Sequence, residues 1–407
     1  MSALKGLKVL DLSRVLAGPW STQLLADYGA DVIKIEHPGK GDDTRAWGPP
    51  YLSDAQGQPT REAAYYLSAN RNKRSVAINL ADARGQALIR ELALKADVLV
   101  ENFKVGGLKK YGLDAASLLA LNPRLVYCSI TGFGQDGPLA SEPGYDAMIQ
   151  AQGGLMSITG HPDDTLGGGP MKVGIAVVDL MCGMYAVSAI LAALRHRDQS
   201  GQGQHLDVSL LDTQVAWLSY INMNYLCSGQ RPQRFGTGHP SIVPYQAFAT
   251  ADSHLMLTVG NDGQFQRFCG AAGQPELASD PRYATNAARV QHRETLIPIV
   301  QALLSADTTA NWLIRLRAAD VPAGPINSID EVFADAQVQH RGMRMEMPHP
   351  LAGSVPLIAN PIRFSATPVE YRQAPPLLGQ HTDEVLSGEL GLDATAIAAL
   401  RGAGVVA

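Results

Sequence analysis

Apolar positions in the N-terminal part of the chain come in short unbroken runs separated by stretches of helical periodicity. Leu7 to Leu12, Asp31 to Glu36, Ser75 to Leu80, Asp97 to Glu101 and Arg124 to Thr131 read as strands. Ser21 to Tyr28 and Ala83 to Lys95 read as helices, the second with Leu88 and Leu92 on one face. Strands alternating with helices predict an α/β fold with a parallel sheet, whose ligand sits in the loops after the strands' C-terminal ends. Ile175 to Arg197 then predicts a long helix, Arg197 to Gln204 an exposed Gly-rich turn, His205 to Val208 a strand and Ser209 to Leu226 a second long helix. Strands at Tyr245 to Ala249 and His254 to Val259, and helices at Gln264 to Ala272 and Arg289 to Leu304, predict a smaller unit. The proline-rich tail reads as irregular up to a short helix at Thr382 to Glu389. The expected organisation is a large α/β domain over 1–197, a linking strand and helix over 198–229, a small domain over 230–330 and a tail over 331–407.

Inside the run Val173 to Gly183, Val-Gly-Ile-Ala-Val-Val-Asp-Leu-Met-Cys-Gly, Asp179 is the only ionisable carboxylate among aliphatic neighbours. An unpaired charge in such surroundings costs several kcal/mol or titrates to neutral. One reading makes Asp179 a first-turn helix residue satisfied by free backbone N–H groups and the helix dipole. The other makes it a nucleophilic carboxylate in a dry pocket, with Gly183 one turn on leaving open space above it.

Composition removes several classes. The chain has 407 residues, of which 46% are hydrophobic and 17% charged, which fits a globular protein of two domains. A net charge of −5 without a basic stripe gives no reason to expect nucleic acid. Cys128, Cys182, Cys227 and Cys269 are far apart and form no metal-ligand spacing, so no metal and a reducing compartment are expected. Met1 to Leu10 has no signal-peptide pattern, and the apolar stretch Ala186 to Leu194 is too short for a bilayer. The expectation is a cytoplasmic protein without membrane partners.

The loops at strand ends carry the chemistry. After the first strand, Arg14-Val-Leu-Ala-Gly-Pro-Trp20 places Gly18 and Pro19 as a tight turn into a helix. Other strands end in Glu36-His-Pro-Gly-Lys-Gly-Asp42, Glu101-Asn-Phe-Lys-Val-Gly-Gly107 and Thr131-Gly-Phe-Gly-Gln-Asp-Gly-Pro138. Together they predict a large ligand across the sheet edge. The cations of Asn70-Arg-Asn-Lys-Arg74 and Lys109-Lys110 suit phosphates, and Phe103 or Phe133 suits a base; the competing reading is a solvated basic surface. No Walker A and no G-x-G-x-x-G sequence is present, so neither a nicotinamide nor a flavin dinucleotide is expected. In the smaller unit, Arg234-Phe-Gly-Thr-Gly-His-Pro240 reads either as a lid presenting backbone N–H groups to an oxyanion or as an interdomain turn.

These motifs together resemble the class III coenzyme A transferases of the CaiB/BaiF type, which include formyl-CoA:oxalate and carnitine CoA-transferases and α-methylacyl-CoA racemase. The resemblance rests on Leu16-Ala-Gly-Pro19, Leu25-Ala-Asp-Tyr-Gly-Ala-Asp-Val-Ile-Lys-Ile-Glu36, Asn72-Lys-Arg-Ser75, Glu101-Asn-Phe103, Gly201-Gln-Gly-Gln204 and Pro376-Leu-Leu-Gly-Gln-His-Thr-Asp-Glu-Val385, in order along nearly the whole chain. It implies a Rossmann-like large domain, a smaller α+β domain, a tail returning to the large domain and an interlocked homodimer sharing its active sites. It implies that Asp179 is the nucleophile and that CoA, as substrate, meets Val15, Leu16, Ala17, His37, Arg74, Ile78, Asn79, Leu80, Ala81, Asn102, Phe103, Lys104, Lys110, Thr131, Gly132, Phe133 and Gly134. Gly236 to Pro240 matches the glycine loop over the reacting acyl group, with Gly236 and Gly238 as oxyanion donors and His239 and Tyr145 beside the substrate. Leu16 stands where the oxalate enzyme has a catalytic glutamine, which points away from oxalate, and His37 stands where it has arginine.

The implied reaction moves CoA from an acyl-CoA donor to a free carboxylic acid, here a short one or a dicarboxylate with succinyl-CoA as donor. A 2-methylacyl-CoA racemase is the alternative within the family. Its members carry Gly-His-Asp where this chain reads Gly144-Tyr-Asp146, and their second acid falls near Asp262. Tyrosine, with an ordinary pKa of about 10, is a poor base at neutral pH. A CoA-binding carrier or sensor without turnover is the alternative outside enzymes.

Overall fold

Six parallel strands form one sheet: β1 (Lys8–Asp11), β2 (Asp31–Glu36), β3 (Lys73–Ala77), β4 (Val98–Glu101), β5 (Val126–Thr131) and β6 (Gln204–Ser209), in spatial order β3-β2-β1-β4-β5-β6. Leu10 of β1 pairs with Ile33 on one side and Leu99 on the other, all buried, as a parallel sheet covered on both faces requires. The order reverses between β1 and β4, and at such a switch point the loops diverge and leave a crevice. The computed structural model describes residues 2–407, in two units. The sheet belongs to unit 1, made of the residues up to Gly154, Val173–Met223 and Gln337–Ala407; unit 2 is Leu155–Lys172 with Asn224–Ala336. The linker expected over 198–229 is therefore divided, its strand and first helix falling in unit 1.

The helices that matter for the site are α1 (Ala17–Asp27), α2 (Ala83–Lys95), α3 (Asp146–Gln152) and α4 (Val177–Ser200). Gly18 and Pro19 lie inside the first turn of α1 and do not form the turn before it; that turn is at Val15. A Cβ on Gly18 would lie 2.2 Å from the Ser13 side chain, so glycine is required there for packing. The space expected above Gly183 is also filled: a Cβ there would sit 2.7 Å from the Ala17 carbonyl oxygen, and the glycine allows α4 to press against α1. At 24 residues α4 is longer than its apolar core Ala186 to Leu194 and is long and apolar enough to cross a bilayer; about half of its most apolar stretch is buried inside the protein, where it packs against α1.

The expected helix Ser209 to Leu226 is two helices, α5 (Leu210–Trp217) and α6 (Ser219–Ser228), because Ser219 takes a left-handed φ of 45° at their junction. In unit 2, β7 (Tyr245–Ala249), β8 (His254–Thr258) and β9 (Ala323–Pro325) form an antiparallel sheet over a core that includes Phe248, Leu255, Phe265, Phe268 and Trp312. The expected helix Arg289 to Leu304 breaks at His292 into Asn286–Gln291 and α7 (Arg293–Leu304). The tail is more regular than its prolines indicate. β10 (Arg344–His349) and β11 (Gly353–Ile358) form a hairpin whose Met347, Val355 and Leu357 pack on Leu67, followed by α8 (Thr382–Leu390) and α9 (Ala394–Gly402). Pro348 and Pro356 are tolerated because every strand of a two-stranded hairpin is an edge.

Candidate active site

A cavity of about 250 Å³ opens at the switch point. It is lined by Arg14, Val15, Leu16 and Ala17 after β1, Asn102 to Val105 after β4, Ile130 to Gly132 at the end of β5, Ala140 to Tyr145 in part, Asp43, Leu210 and Asp179. The three adjacent strands β1, β4 and β5 thus deliver their following loops to one place, as the alternation of strands and helices predicts.

The β1 loop is held from below by buried charge. Val15 adopts φ 72°, a conformation that costs a β-branched residue, and its N–H donates to Asp42 at 3.2 Å. Asp42 pairs with Lys34 at 2.9 Å; the Lys34 ammonium also donates to the Ser13 carbonyl. Lys73 pairs with Asp11 at 3.1 Å, and Arg45 makes two bonds to Glu36 and a third to Glu62. Burial alone would raise the Asp11 carboxyl, but Lys73 and Lys34 with the Ser13 and Thr22 hydroxyls bring it down to about 2. This changes the reading of the basic run Asn70 to Arg74. Arg71 is bound to Asp27 at 2.5 Å, Lys73 to Asp11, and Arg74 to Asp31, Glu384 and Glu389. Each cation of the run thus pairs with carboxylates within unit 1.

The β4 loop is tied to the β1 loop by a reciprocal pair. Asn102 accepts from the Arg14 N–H at 2.9 Å and donates to the Arg14 carbonyl at 2.7 Å, while the Arg14 guanidinium lies 5.3 Å from the Phe103 ring centre. The Glu101 carboxylate accepts from the Phe103 N–H at 2.8 Å, and burial pushes its pKa up to about 7. Thr131 accepts from the Gly134 N–H, and Gly132 touches Gly144 so closely that a Cβ on Gly144 would lie 2.2 Å from the Gly132 Cα. That contact fixes the strand end beside Tyr145, which is 65% exposed at the cavity rim.

Asp179 is half-buried in the first turn of α4, facing the cavity, and its carboxylate has no hydrogen-bond or ion-pair partner among the described residues. The helix-start amides expected to satisfy it are taken by another side chain: Asp146 accepts from the Val178 N–H at 2.8 Å and the Asp179 N–H at 3.2 Å. Burial, and then the neighbouring Asp146 carboxylate, push the Asp179 pKa up to about 7. Tyr65 is raised to about 12 by burial and by Asp179, Asp146 and Asp42, so it faces these carboxylates as a protonated hydroxyl, its ring edge-on to Trp47.

Other expected contacts lie outside the cavity lining. His37 is exposed with its ring nitrogen 2.6 Å from the Pro38 carbonyl; Lys110 is exposed, 4.7 Å from the Tyr111 ring centre; Phe133 and Gly134 lie just past β5. Ile78 is in the core and Leu80 packs against it, and Asn79 donates its backbone N–H to Val405 while its side chain accepts from Ala81. In unit 2, the N–H groups of Gly236 and Gly238 are engaged by the Gly160 and Phe235 carbonyls, and among the described residues Thr237 has the N–H between them without an acceptor. His239 accepts from the Ser241 N–H, and its pKa is lowered by burial and by Arg293. Arg234 is bound to the Ser157 and His161 carbonyls and to Asp163. Asp262 pairs with Arg289 at 2.8 Å and accepts from the Asn286 N–H.

Asp146, Gln150, Tyr65 and Asp42 were not singled out by sequence reasoning. Their roles depend on partners distant in sequence, 27 positions away for Asp42, 23 for Gln150 and 32 and 33 for Asp146, and in the sequence Asp146 stands out only within the Gly144-Tyr-Asp146 triplet compared with the racemase motif.

The family model described as CoA-transferase family III matches residues 4–382. A succinate–glutarate CoA-transferase of Agrobacterium fabrum is 52% identical over 94% of this chain and 95% of its own length. The human succinyl-CoA:glutarate CoA-transferase is 45% identical over 99% of this chain and 90% of its own. Among solved structures, a CaiB/BaiF family protein from Brucella suis superposes with a TM-score of 0.84 at 45% identity, covering 95% of this chain and 99% of that one. A crevice at the β1/β4 switch point, a half-buried carboxylate facing it and these relatives agree: the chain belongs to CoA-transferase family III and is a CoA-transferase.

Proposed function

We propose that this enzyme moves CoA from succinyl-CoA to a short dicarboxylic acid such as glutarate, with Asp179 as nucleophile and unit 1 as the CoA-binding unit. The observation that carries the reading is the Asp179 carboxylate, without a partner among the described residues, at a cavity formed by the β1, β4 and β5 loops. The relatives named for succinyl-CoA, succinate and glutarate supply the substrate class.

The ionised Asp179 attacks the donor thioester carbonyl and the C–S bond breaks, giving a mixed anhydride and CoA thiolate. The thiolate attacks the aspartyl carbonyl and expels succinate, leaving aspartyl-CoA. The acceptor carboxylate then attacks that thioester, releasing thiolate and forming a second anhydride. Thiolate attack on the acceptor's carbonyl forms the new acyl-CoA and returns the Asp179 carboxylate. Every intermediate hydrolyses readily, so water has to be excluded. We read Gly236 to Pro240, which resembles the family's glycine loop, as the loop that stabilises the oxyanion, with the Thr237 N–H, which has no acceptor among the described residues, as its donor. Arg14, Lys104 and Lys110 are the cations assigned to the phosphates, with His37 as a further polar contact, and Phe103 is assigned to the base.

We assign the enzyme to the cytoplasm, where its unpaired cysteines stay reduced, and a homodimer as its working form. Met184, Tyr185 and Leu191 of α4, Val215 and Trp217 of α5, and Tyr220 and Met223 of α6 are exposed apolar side chains of unit 1, more than an isolated chain needs to show. Racemisation is disfavoured by Asp262, whose carboxylate is held by Arg289 and the Asn286 N–H.

The test is peptide mass spectrometry after incubation with succinyl-CoA, with hydroxylamine or borohydride to trap activated carboxyl groups. A trapped Asp179, together with glutaryl-CoA formed on adding glutarate, supports the reading. Solvent deuterium entering the α-position of a 2-methylacyl-CoA with no trapped residue would move the protein to the racemase branch.

A further inference from the structure

We propose that Asp146 is a positioning residue for the nucleophile, its carboxylate, braced by Gln150, holding the first turn of α4 and placing a negative charge beside Asp179. The inference rests on Asp179 being the nucleophile. Asp146 Oδ2 accepts from the backbone N–H of Val178 at 2.8 Å and of Asp179 itself at 3.2 Å. Its other oxygen accepts from Gln150 Nε2 at 2.5 Å. Gln150 is fully buried, and its Oε1 accepts from the Val173 N–H at 2.8 Å. Two residues one turn apart on α3 therefore grip the 173–179 segment at both ends. The Gly132–Gly144 contact anchors the start of α3 to the end of β5, so the grip is referenced to the sheet.

An asparagine could cap the helix with its one oxygen, but its NH2 would then meet the Gln150 Nε2 donor, so only a carboxylate accepts from both the helix amides and the brace. Aspartate adds a charge next to the residue that must become a charged nucleophile. Two carboxylates this close oppose each other's ionisation, and the Asp179 pKa is raised accordingly, after burial. A more basic carboxylate is a stronger nucleophile once ionised. The other titratable groups facing Asp179 are Tyr65, from the helix Ala64–Ser68, and Cys182 on α4; both are held neutral well above physiological pH, and Asp146, which accepts from the Asp179 N–H, is the neighbouring carboxylate that acts on Asp179 among the described residues.

The experiment compares Asp146→Asn and Gln150→Ala with the wild-type full chain, using succinyl-CoA and glutarate. The readouts are the pH profile of kcat/KM, CoA affinity by calorimetry, and hydroxylamine trapping at Asp179. Asp146→Asn is expected to lower kcat about 10-fold to 100-fold through misplacement, to leave CoA affinity unchanged, and to move the acid limb of the profile to lower pH. Gln150→Ala is expected to lower kcat while leaving that limb in place, because it removes the brace and not the charge. An Asp146→Asn limb coinciding with the wild-type limb in a folded, CoA-binding protein would overturn the proposal. Should Asp146→Asn not fold, wild-type kcat in Gln150→Ala overturns it instead. Absence of any trapped Asp179 in the wild-type protein fails the nucleophile assignment beneath it, a result separate from either variant.

Discussion

Asp179 is a half-buried carboxylate and Asp11 a fully buried one, and their surroundings push them in opposite directions. Asp179, raised by burial and Asp146 to about 7, keeps a proton in the folded protein that the unfolded chain has lost above about pH 4. Its contribution thus favours folding at low pH and is lost as pH rises through about 7. Asp179→Asn, neutral throughout, is expected to raise the melting temperature more at pH 8 than at pH 5 while abolishing transfer; equal shifts at the two pH values in calorimetry would contradict this. Asp11, lowered to about 2 by its lysines against the effect of burial, contributes stability that is present above about pH 4 and lost as pH falls toward 2. Removing its charge leaves Lys73 and Lys34 short of a partner inside the protein. Asp11→Asn is expected to cost about 3–5 kcal/mol at pH 7, read from urea unfolding. The first residue is destabilised by the environment its chemistry needs, and the second fixes the start of the β1 loop by accepting from the Ser13 N–H and hydroxyl.

Between elements, the site depends on contacts that admit no side chain. The Gly132–Gly144 approach sets α3 on the end of β5, and Gly183 lets α4 lie on α1. Gly144→Ala is expected to cost about 1–3 kcal/mol by overpacking and to lower kcat more than CoA affinity, because it displaces the Asp146 end of α3; wild-type kcat with intact stability would show that the contact is not needed. In unit 2, Arg293 at the start of α7 donates to the carbonyls of His239 and Pro240 at 3.0 and 2.7 Å and lies 4.6 Å from the Phe235 ring centre. Arg293→Ala is expected to loosen residues 235–240, seen as faster amide hydrogen exchange confined to that loop. The predicted strand Asp31 to Glu36, helix Ala83 to Lys95 and strand Tyr245 to Ala249 coincide with the observed elements because local periodicity decides them. The hairpin of β10 and β11 was hidden by its prolines, and the break at Ser219 lies in an otherwise continuous helical pattern.

For the whole molecule, the exposed apolar side chains of α4, α5 and α6 predict self-association. Sedimentation should give a dimer mass, and Tyr185→Asp with Leu191→Asp should shift it toward the monomer; a monomeric wild-type protein at micromolar concentration would refute the assignment. An acceptor panel should favour dicarboxylates over monocarboxylates of equal length, and equal rates would remove the dicarboxylate reading. The sequence by itself determined the α/β class, the family and the importance of the Val173 to Gly183 run, since strand and helix periods and ordered motifs are carried by near neighbours. Only the tertiary structure decided which charges are free. Lys73 and Arg74 looked like phosphate ligands until their carboxylates arrived from 62 and 315 positions away, and the helix-start amides offered to Asp179 went instead to Asp146, 33 positions before it. Ion pairs and helix caps are satisfied through space, and a one-dimensional pattern does not show who the partner is.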